Sequence, residues 1–89
     1  MKSRRNAHFR NLFNHLPEHV RRQAVAAYEL FAQDPWHRSL QFKQVHERRP
    51  IYSVRIGRGY RAVGIWEGDV IAWFWIGSHA EYDQLLERL

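Results

Sequence analysis

The 89 residues are enough for one small domain with a thin core, and 45% hydrophobic with 15% aromatic residues argue against disorder. The absence of cysteine excludes disulfides and thiolate metal sites, and no apolar run approaches membrane-spanning length, so we expect a soluble cytoplasmic protein. A net charge of +5, concentrated in residues 1–61, indicates a polyanionic partner such as nucleic acid, or simply a solubilising surface.

Two helices are predicted in the first third of the chain. Apolar residues at helical spacing predict an amphipathic helix over residues 4–15. They are Phe9, Leu12, Phe13 and Leu16. A second helix is predicted over residues 17–33, because Pro17 suits its first turn and Asp34 precedes a further proline that ends it. The short HLPEH connection between them indicates a helical hairpin.

Alternation of apolar and polar residues then predicts four strands, connected as a mostly antiparallel meander over residues 40–77. The strand segments are LQFKQV, IYSVRI, YRAVGIW and VIAWFWI. The short loops GRG and EGD set the register of the last three strands. One face of the sheet is then apolar and is expected to pack on the helices. Its residues are Val54, Ile56, Tyr60, Ala62, Gly64, Trp66, Val70, Ala72, Phe74 and Ile76.

The opposite face of the predicted sheet combines arginines with bulky apolar residues. Its members are Arg55, Arg61, Val63, Ile65, Ile71, Trp73 and Trp75. In this register Arg55 and Arg61 lie directly opposite one another, and like charges in a cross-strand pair are destabilising. We therefore expect an anion to lie between the two arginines. A register shifted by one residue would instead separate them.

The last strand runs into a helix-start signal. Ser78 and Glu81 have the spacing of a capping box, so the strand is expected to end at Gly77 and a helix to begin at His79. His79 and Tyr82 share one face of this helix. We expect Tyr82 to anchor the helix in the core. His79 lies on the first turn, where amides attract phosphate, and is a candidate for acid–base chemistry or for a structural role.

Three segments together resemble toxins of the RelE/ParE superfamily, which belong to type II toxin–antitoxin modules. The segments are LPEHVRRQAVAAYELFAQDPWHRSLQFKQV, YSVRIGRGYRAVG and WFWIGSHAEYDQLL. The resemblance implies a RelE-like α+β fold, with two N-terminal helices on a curved, mostly antiparallel four-stranded sheet and a short C-terminal helix. It also implies a bacterial toxin that cuts mRNA on the ribosome without a cofactor or metal, and that a cognate antitoxin neutralises.

Site residues follow from the resemblance by position. The implied catalytic residues are His79, Arg61, Arg55 and Tyr82, and the implied RNA-binding residues are Lys43, Arg58, Trp73, Trp75, His46 and His37. The arginines match phosphate-binding positions of the family, and one of the tryptophans would stack a base. In related toxins the histidine and tyrosine are adjacent, whereas two residues separate them here. The family's carboxylate base has no clear counterpart, so the loop histidines are either substitutes for it or polar surface.

Three functions remain open from the sequence. In the first, the chain is an endoribonuclease in which a 2′-hydroxyl of the RNA attacks the adjacent phosphate. In the second, it is a non-enzymatic ParE-like toxin that binds DNA gyrase. In the third, it is an inactive module that retains only affinity for RNA or antitoxin. The histidine and arginine cluster favours the first, since binding to gyrase does not need it.

Overall fold

The computed structural model describes all 89 residues, which form an α+β fold of three helices and five strands. The elements in chain order are β1 (Lys2–Arg5), α1 (Ala7–Asn14), α2 (Glu18–Gln33), β2 (Lys43–Gln44), β3 (Ile51–Ile56), β4 (Tyr60–Glu67), β5 (Val70–Ser78) and α3 (His79–Arg88). The strands form one sheet in the order β1-β5-β4-β3-β2, in which β1 runs parallel to β5 and the other neighbours are antiparallel. No helix is long and apolar enough to cross a membrane.

The first strand is a departure from the predicted four-stranded sheet. Residues Lys2–Arg5 pair with β5, and helix α1 begins at Ala7 rather than at residue 4. Asn6 caps that helix, because its side-chain oxygen accepts a hydrogen bond from the Phe9 amide at 2.8 Å. Asparagine is a preferred cap, so the helix start was readable in the sequence. The strand pairing was not, because its partner lies about 70 residues away in the chain.

The segment LQFKQV is also less regular than predicted. Only Lys43–Gln44 pair as a strand, and Leu40 belongs to a single 3₁₀ turn, Arg38–Leu40, that precedes it. Gln41 ends this turn in the left-handed region, at φ 46°. The chain therefore bends sharply before β2, which brings Gln41 against the neighbouring strands.

Helices α1 and α2 pack on one face of the sheet and form the first core. Its buried members are Phe9, Ala24, Phe31, Leu40, Phe42, Val54, Ile56, Ala62, Ile71, Trp73 and Ile76. The predicted helix-facing positions Val54, Ile56, Ala62 and Ile76 are confirmed, and Tyr60 and Trp66 pack at the margin of the same core. The two predicted N-terminal helices therefore cover the face that the sequence pattern assigns to them.

A β-bulge between β4 and β5 reverses part of the predicted pattern. The pairing passes from Val63 opposite Trp75 to Gly64 opposite Trp73, so Phe74 has no partner on β4. Such an extra residue turns the preceding side chains to the other face. Ile71 and Trp73 therefore pack in the first core, whereas Val70, Ala72 and Phe74 turn to the opposite face. The prediction from strict alternation was wrong for these five residues.

Gly64 permits the close approach of strands at this bulge. We expect Gly64→Ala to lower the free energy of unfolding by about 2 kcal/mol, as overpacking does. The added Cβ would lie 2.9 Å from Cε3 of Trp73, and 3.0 Å from both the Ala72 carbonyl oxygen and Cγ1 of Ile71. Urea denaturation measures the change. Gly59→Ala is the matched control, because its Cβ would meet nothing within 4 Å; equal losses in both variants would contradict the argument.

Helix α3 covers the opposite face of the sheet and forms a second core. This core contains Ile51, Val63 and Tyr82, with Val45, Ile65, Phe74, Trp75, Leu85, Leu86 and Leu89 packed around them. The helix begins at His79 as predicted, and both capping-box bonds are present: the Glu81 amide to Ser78 Oγ at 3.2 Å, and the Ser78 amide to Glu81 Oε1 at 2.9 Å. These bonds hold the pKa of Glu81 below its usual value. Helix α3 thus covers part of the arginine face of the sheet.

Candidate functional site

A row of basic side chains crosses the sheet beside the start of α3. Arg55 on β3 is paired with Arg61 on β4, which confirms the predicted register. Lys43 of β2 is paired with Ser53 of β3, two residues before Arg55. Because residues in register point to the same face of a sheet, and Ser53 and Arg55 are two residues apart, all four side chains share one face.

Arg61 lies beneath the surface rather than on it. Its exposed fraction is 4%, and its guanidinium donates three hydrogen bonds: Nη1 to Gln41 Oε1 at 3.1 Å, Nη2 to the Gln41 carbonyl oxygen at 3.3 Å, and Nη2 to Ser53 Oγ at 3.1 Å. The Nε atom is buried and has no hydrogen-bond partner. Burial lowers the pKa of Arg61; the neighbouring Tyr82 opposes this effect, and Arg55 adds to it. Arginine nevertheless remains protonated in proteins.

No acidic side chain neutralises Arg61. The one contact within 4 Å between a basic and an acidic side chain joins His79 to Asp83 on α3. A buried charge without a counter-ion costs several kcal/mol unless hydrogen bonds and nearby dipoles compensate it. Neutral groups do so here, because the acceptors are an amide, a carbonyl and a hydroxyl. The site therefore keeps a full positive charge in a poorly solvated position.

Tyr82 is the centre of the contact between α3 and this site. It is 4% exposed, its hydroxyl lies 3.1 Å from Ser53 Oγ, and its ring lies 5.2 Å from Cζ of Arg61. The last contact is a cation–π interaction. The expected anchoring role of Tyr82 is confirmed by its place in the second core. Its hydroxyl is buried and already engaged.

His79 lies against the same ring. The His79 and Tyr82 ring centroids are 5.6 Å apart, and the His79 side chain is 56% exposed. Its Nδ1 lies 3.3 Å from Oδ2 of Asp83, one turn along the helix, which leaves Nε2 as the free ring nitrogen. The His79 amide donates to the Gly59 carbonyl at 2.8 Å, and so ties the helix start to the β3–β4 loop. Thus His79 is open to solvent while Arg61 is not.

Three further basic residues surround this arrangement. Arg55 is half-buried, and its Nε donates to the Gly57 carbonyl at 2.8 Å. Arg58, in the β3–β4 loop, and Lys43, on β2, are both exposed. None of the three has an acidic partner. They give the rim of the site a positive potential that an anionic polymer would meet first.

The two tryptophans that the sequence assigns to RNA binding occupy different environments. Trp73 is 5% exposed and packs edge-on against Phe31 in the first core, at a centroid distance of 5.4 Å. It therefore offers no surface to a base, and the bulge described above is the reason. Trp75 is half-buried on the arginine face, 6.5 Å from the Tyr82 ring. It is the tryptophan that lies beside the basic row.

The loop histidines are engaged in local hydrogen bonds. His37 caps the 3₁₀ turn, where its Nδ1 accepts from the Ser39 amide at 3.2 Å. The Nδ1 of His46 accepts from the amides of Arg48 and Arg49 at 3.1 and 3.0 Å, so its Nε2 is the donor to the Leu89 carbonyl at 3.0 Å. These bonds account for both side chains as parts of loops, and neither contacts the arginine pair.

Sequence reasoning missed two residues of the site. Ser53 is fully buried and bridges Arg61 to Tyr82. Its signal was present, because a small polar residue on the arginine face of a strand needs a partner when buried. Gln41 binds Arg61 twice, but no local pattern predicts a glutamine in the left-handed region. The structure contains no group of three or more His, Cys, Asp or Glu side chains that could hold a metal ion.

A family model described as a ParE-like toxin domain matches residues 18–84, which include the arginine pair and most of α3. The chain belongs to this toxin family. The resemblance to the RelE/ParE superfamily is thereby confirmed, and the chain is a toxin of the kind found in toxin–antitoxin modules. No curated protein matches it.

Solved structures share the fold of this toxin at low sequence identity. The RelB–RelE antitoxin–toxin complex from Methanococcus jannaschii contains a chain that is 18% identical, with a TM-score of 0.74 over 92% of this chain and 96% of that one. The isolated Escherichia coli RelE toxin is 16% identical, with a TM-score of 0.67 over 98% of this chain and 96% of that one. The archaeal RelE–RelB complex from Pyrococcus horikoshii OT3 is 16% identical, with a TM-score of 0.67 over 86% and 92%. Identities this low show the fold alone.

Proposed function

We propose that this toxin is an endoribonuclease that cuts mRNA, on the ribosome, without a metal or cofactor. The observation that carries the proposal is Arg61, a buried cation with no acidic partner, paired with Arg55 in the basic row. A fixed positive charge in a poorly solvated site stabilises negative charge more strongly than a hydrated one does. Cleavage of a phosphodiester builds up negative charge on the phosphoryl oxygens, and this site suits that demand.

In the proposed reaction the RNA supplies its own nucleophile. The 2′-oxygen attacks the adjacent phosphorus, the bond from phosphorus to the 5′-oxygen breaks, and the products are a 2′,3′-cyclic phosphate and a 5′-hydroxyl. His79 in its protonated form gives a proton from Nε2 to the departing 5′-oxygen. The proton of the 2′-hydroxyl passes to water, from which His79 is reprotonated. Asp83 holds Nδ1 and so orients the ring.

The roles of the basic residues follow from how deeply each one is buried. Arg55, Arg58 and Lys43 are reachable from solvent and bind phosphates of the strand. Trp75, beside them, is only half-buried and is the residue that would stack a base. Arg61 acts from below, through its charge, on the dianionic transition state. This division predicts that loss of a rim residue weakens RNA binding, whereas loss of the buried charge slows the reaction.

A cognate antitoxin is the proposed protein partner. The relatives from M. jannaschii and P. horikoshii were solved as complexes with RelB. An antitoxin segment that covered the basic row of this toxin would exclude RNA from it. Because the row carries no acidic residue, an acidic segment is the one that it would attract.

Mapping of RNA 5′ ends after induced expression tests the proposal. New ends that carry a 5′-hydroxyl, within translated mRNA, are expected. A purified translation extract should show the same cuts, and none where the nucleotide before the cut carries a 2′-O-methyl group. Growth arrest with intact mRNA would contradict the proposal and point to a protein target such as DNA gyrase. Neither arrest nor cuts would indicate an inactive binding module.

The buried hydroxyl of Tyr82 leads to a separate prediction. Tyr82→Phe should lower the free energy of unfolding by about 1 kcal/mol, the usual contribution of one buried hydrogen bond. Cleavage should change by less than about threefold, since the hydroxyl faces Ser53 and not solvent. Urea denaturation and single-turnover cleavage measure the two quantities. A large fall in cleavage at unchanged stability would instead give the phenol a chemical role.

A further inference from the structure

Gln41 holds the guanidinium of Arg61 with two different oxygen atoms. Its side-chain Oε1 accepts from Nη1 at 3.1 Å, and its main-chain carbonyl accepts from Nη2 at 3.3 Å. The second acceptor points the right way because Gln41 adopts φ 46°, a left-handed conformation that residues other than glycine rarely take. Gln41 is the one non-glycine residue of the chain with a positive φ. The same conformation ends the 3₁₀ turn, and it is kept here by a residue that lacks the freedom of glycine.

The chemistry of residue 41 is as informative as its conformation. Glutamate has nearly the same size and shape as glutamine and would pair with Arg61 through a charge-assisted hydrogen bond. Such a carboxylate is the ordinary partner of a buried arginine, and its absence leaves the cation uncompensated. The neutral amide of Gln41 accepts a hydrogen bond from the guanidinium but adds no negative charge. Arg61 is thus held in place without being neutralised.

Ser53 completes the hold on the guanidinium. Its Oγ accepts from Nη2 at 3.1 Å and lies 3.1 Å from the Tyr82 hydroxyl. With Nη1 on Gln41 and Nη2 on both Gln41 and Ser53, the planar group has acceptors on β3 and on the turn before β2, and cannot rotate freely. Only Nε remains without a protein acceptor.

We propose that Gln41 is a positioning residue that fixes Arg61 and keeps its positive charge available to a phosphate group. The inference rests on the proposed ribonuclease function and deepens it. It accounts for three observations together: the left-handed backbone, the double contact to one guanidinium, and the lack of an acidic partner for a buried cation.

Gln41→Glu tests the inference, because stability and activity should move in opposite directions. The new carboxylate should pair with Arg61 and raise the melting temperature, or at least preserve it. The value of kcat for cleavage of ribosome-bound mRNA should fall by roughly 30-fold, since neutralising Arg61 removes transition-state stabilisation. KM should change by less than about threefold, since the RNA phosphates contact the rim residues in the ground state.

Gln44→Glu is the matched control. It makes the same chemical change three residues along the chain, at an exposed position of β2 whose amide donates to the Arg49 carbonyl at 2.9 Å. Gln44 is paired with Tyr52, which packs at the margin of the first core, so its side chain lies on the face away from Arg61. This variant should cleave RNA with wild-type kcat and KM.

Each outcome decides the question. Wild-type kcat in a folded Gln41→Glu variant would overturn the inference, because the charge on Arg61 would then not matter. A lower melting temperature, or failure to fold, would also overturn it, because no stabilising pair would have formed. Gln41→Gly adds a further check: it relieves the left-handed strain and, of the two acceptors for Arg61, keeps the main-chain carbonyl and loses Oε1. It should fold, with kcat reduced several-fold.

A measurement without RNA separates this inference from the proposed function. Inorganic phosphate, added at constant ionic strength, should raise the melting temperature of the wild type and of Gln44→Glu, but raise that of Gln41→Glu much less. If this pattern holds while the wild type cuts no RNA, the ribonuclease proposal fails and the role of Gln41 stands. If RNA is cut but Gln41→Glu responds to phosphate as the wild type does, the role of Gln41 is refuted and the ribonuclease proposal stands.

Discussion

His79→Ala is expected to slow RNA cleavage by roughly a thousandfold, the middle of the range for loss of a general acid or base. The imidazole is 56% exposed and donates no bond on which the fold depends. The helix start should survive, because it relies on the Ser78 and Glu81 capping bonds and on the His79 amide, all of which alanine preserves. Single-turnover cleavage of ribosome-bound mRNA measures the effect, and urea denaturation verifies the fold.

His19→Ala is the control for this experiment. His19 is also an exposed histidine in the first turn of a helix, but on α2, which packs on the other face of the sheet. It should leave cleavage unchanged. Asp83→Asn, which keeps the shape but removes the charge beside Nδ1, should cause an intermediate loss of about tenfold. Wild-type cleavage by His79→Ala would assign His79 to the surface and require another acid.

Arg61→Met is expected to slow cleavage by roughly a hundredfold, because a fixed charge next to the transition state is lost. The free energy of unfolding should change by less than about 1 kcal/mol, since an apolar side chain of similar length removes the cost of burying the charge. Ser53 retains Tyr82 as a partner, and Gln41 is exposed enough to turn to solvent. Cleavage rates and urea denaturation are again the measurements. Arg61→Ala is a poorer choice, because it would also leave a cavity worth about 2–5 kcal/mol.

Arg58→Met provides the comparison for the buried arginine. Arg58 is exposed in the β3–β4 loop, so its loss should raise KM and flatten the dependence of RNA binding on salt, with little effect on kcat. If Arg61→Met unfolds, the hydrogen-bonded guanidinium is primarily structural. If it folds and cuts RNA at the wild-type rate, the buried charge has no part in catalysis, and the observation behind the proposed function loses its force.

Local patterns were sufficient for much of this fold. Helix α2 follows from a long apolar stripe, and the start of α3 from a capping box whose partners are three residues apart. The pairing of Arg55 with Arg61 follows from the short GRG loop, which favours this register. In each case the interacting groups are near neighbours in the chain, so their spacing alone carries the information.

The predicted set of site residues was only partly brought together. Arg55, Arg61, Lys43, Tyr82 and His79 do lie around one another, because register and helix period determine their directions. Trp73 does not join them, because one extra residue at the bulge turns it toward the helices. Periodicity cannot reveal such an insertion, since it depends on how two strands fit against each other and on the bare backbone at residue 64.

By itself, the sequence determined the secondary structure around the site, the arginine pair and the family of the toxin. Only the tertiary structure decided how deeply each charged side chain is buried. Strand β1 is added by pairing with a segment far along the chain, and α3 folds back over the arginine face and buries Arg61 under Tyr82. Gln41 meets that guanidinium only because the chain turns back before β2. These contacts join distant segments of the chain. They determine how far each charged group is exposed to water, and this exposure determines how strongly the charges at the site interact.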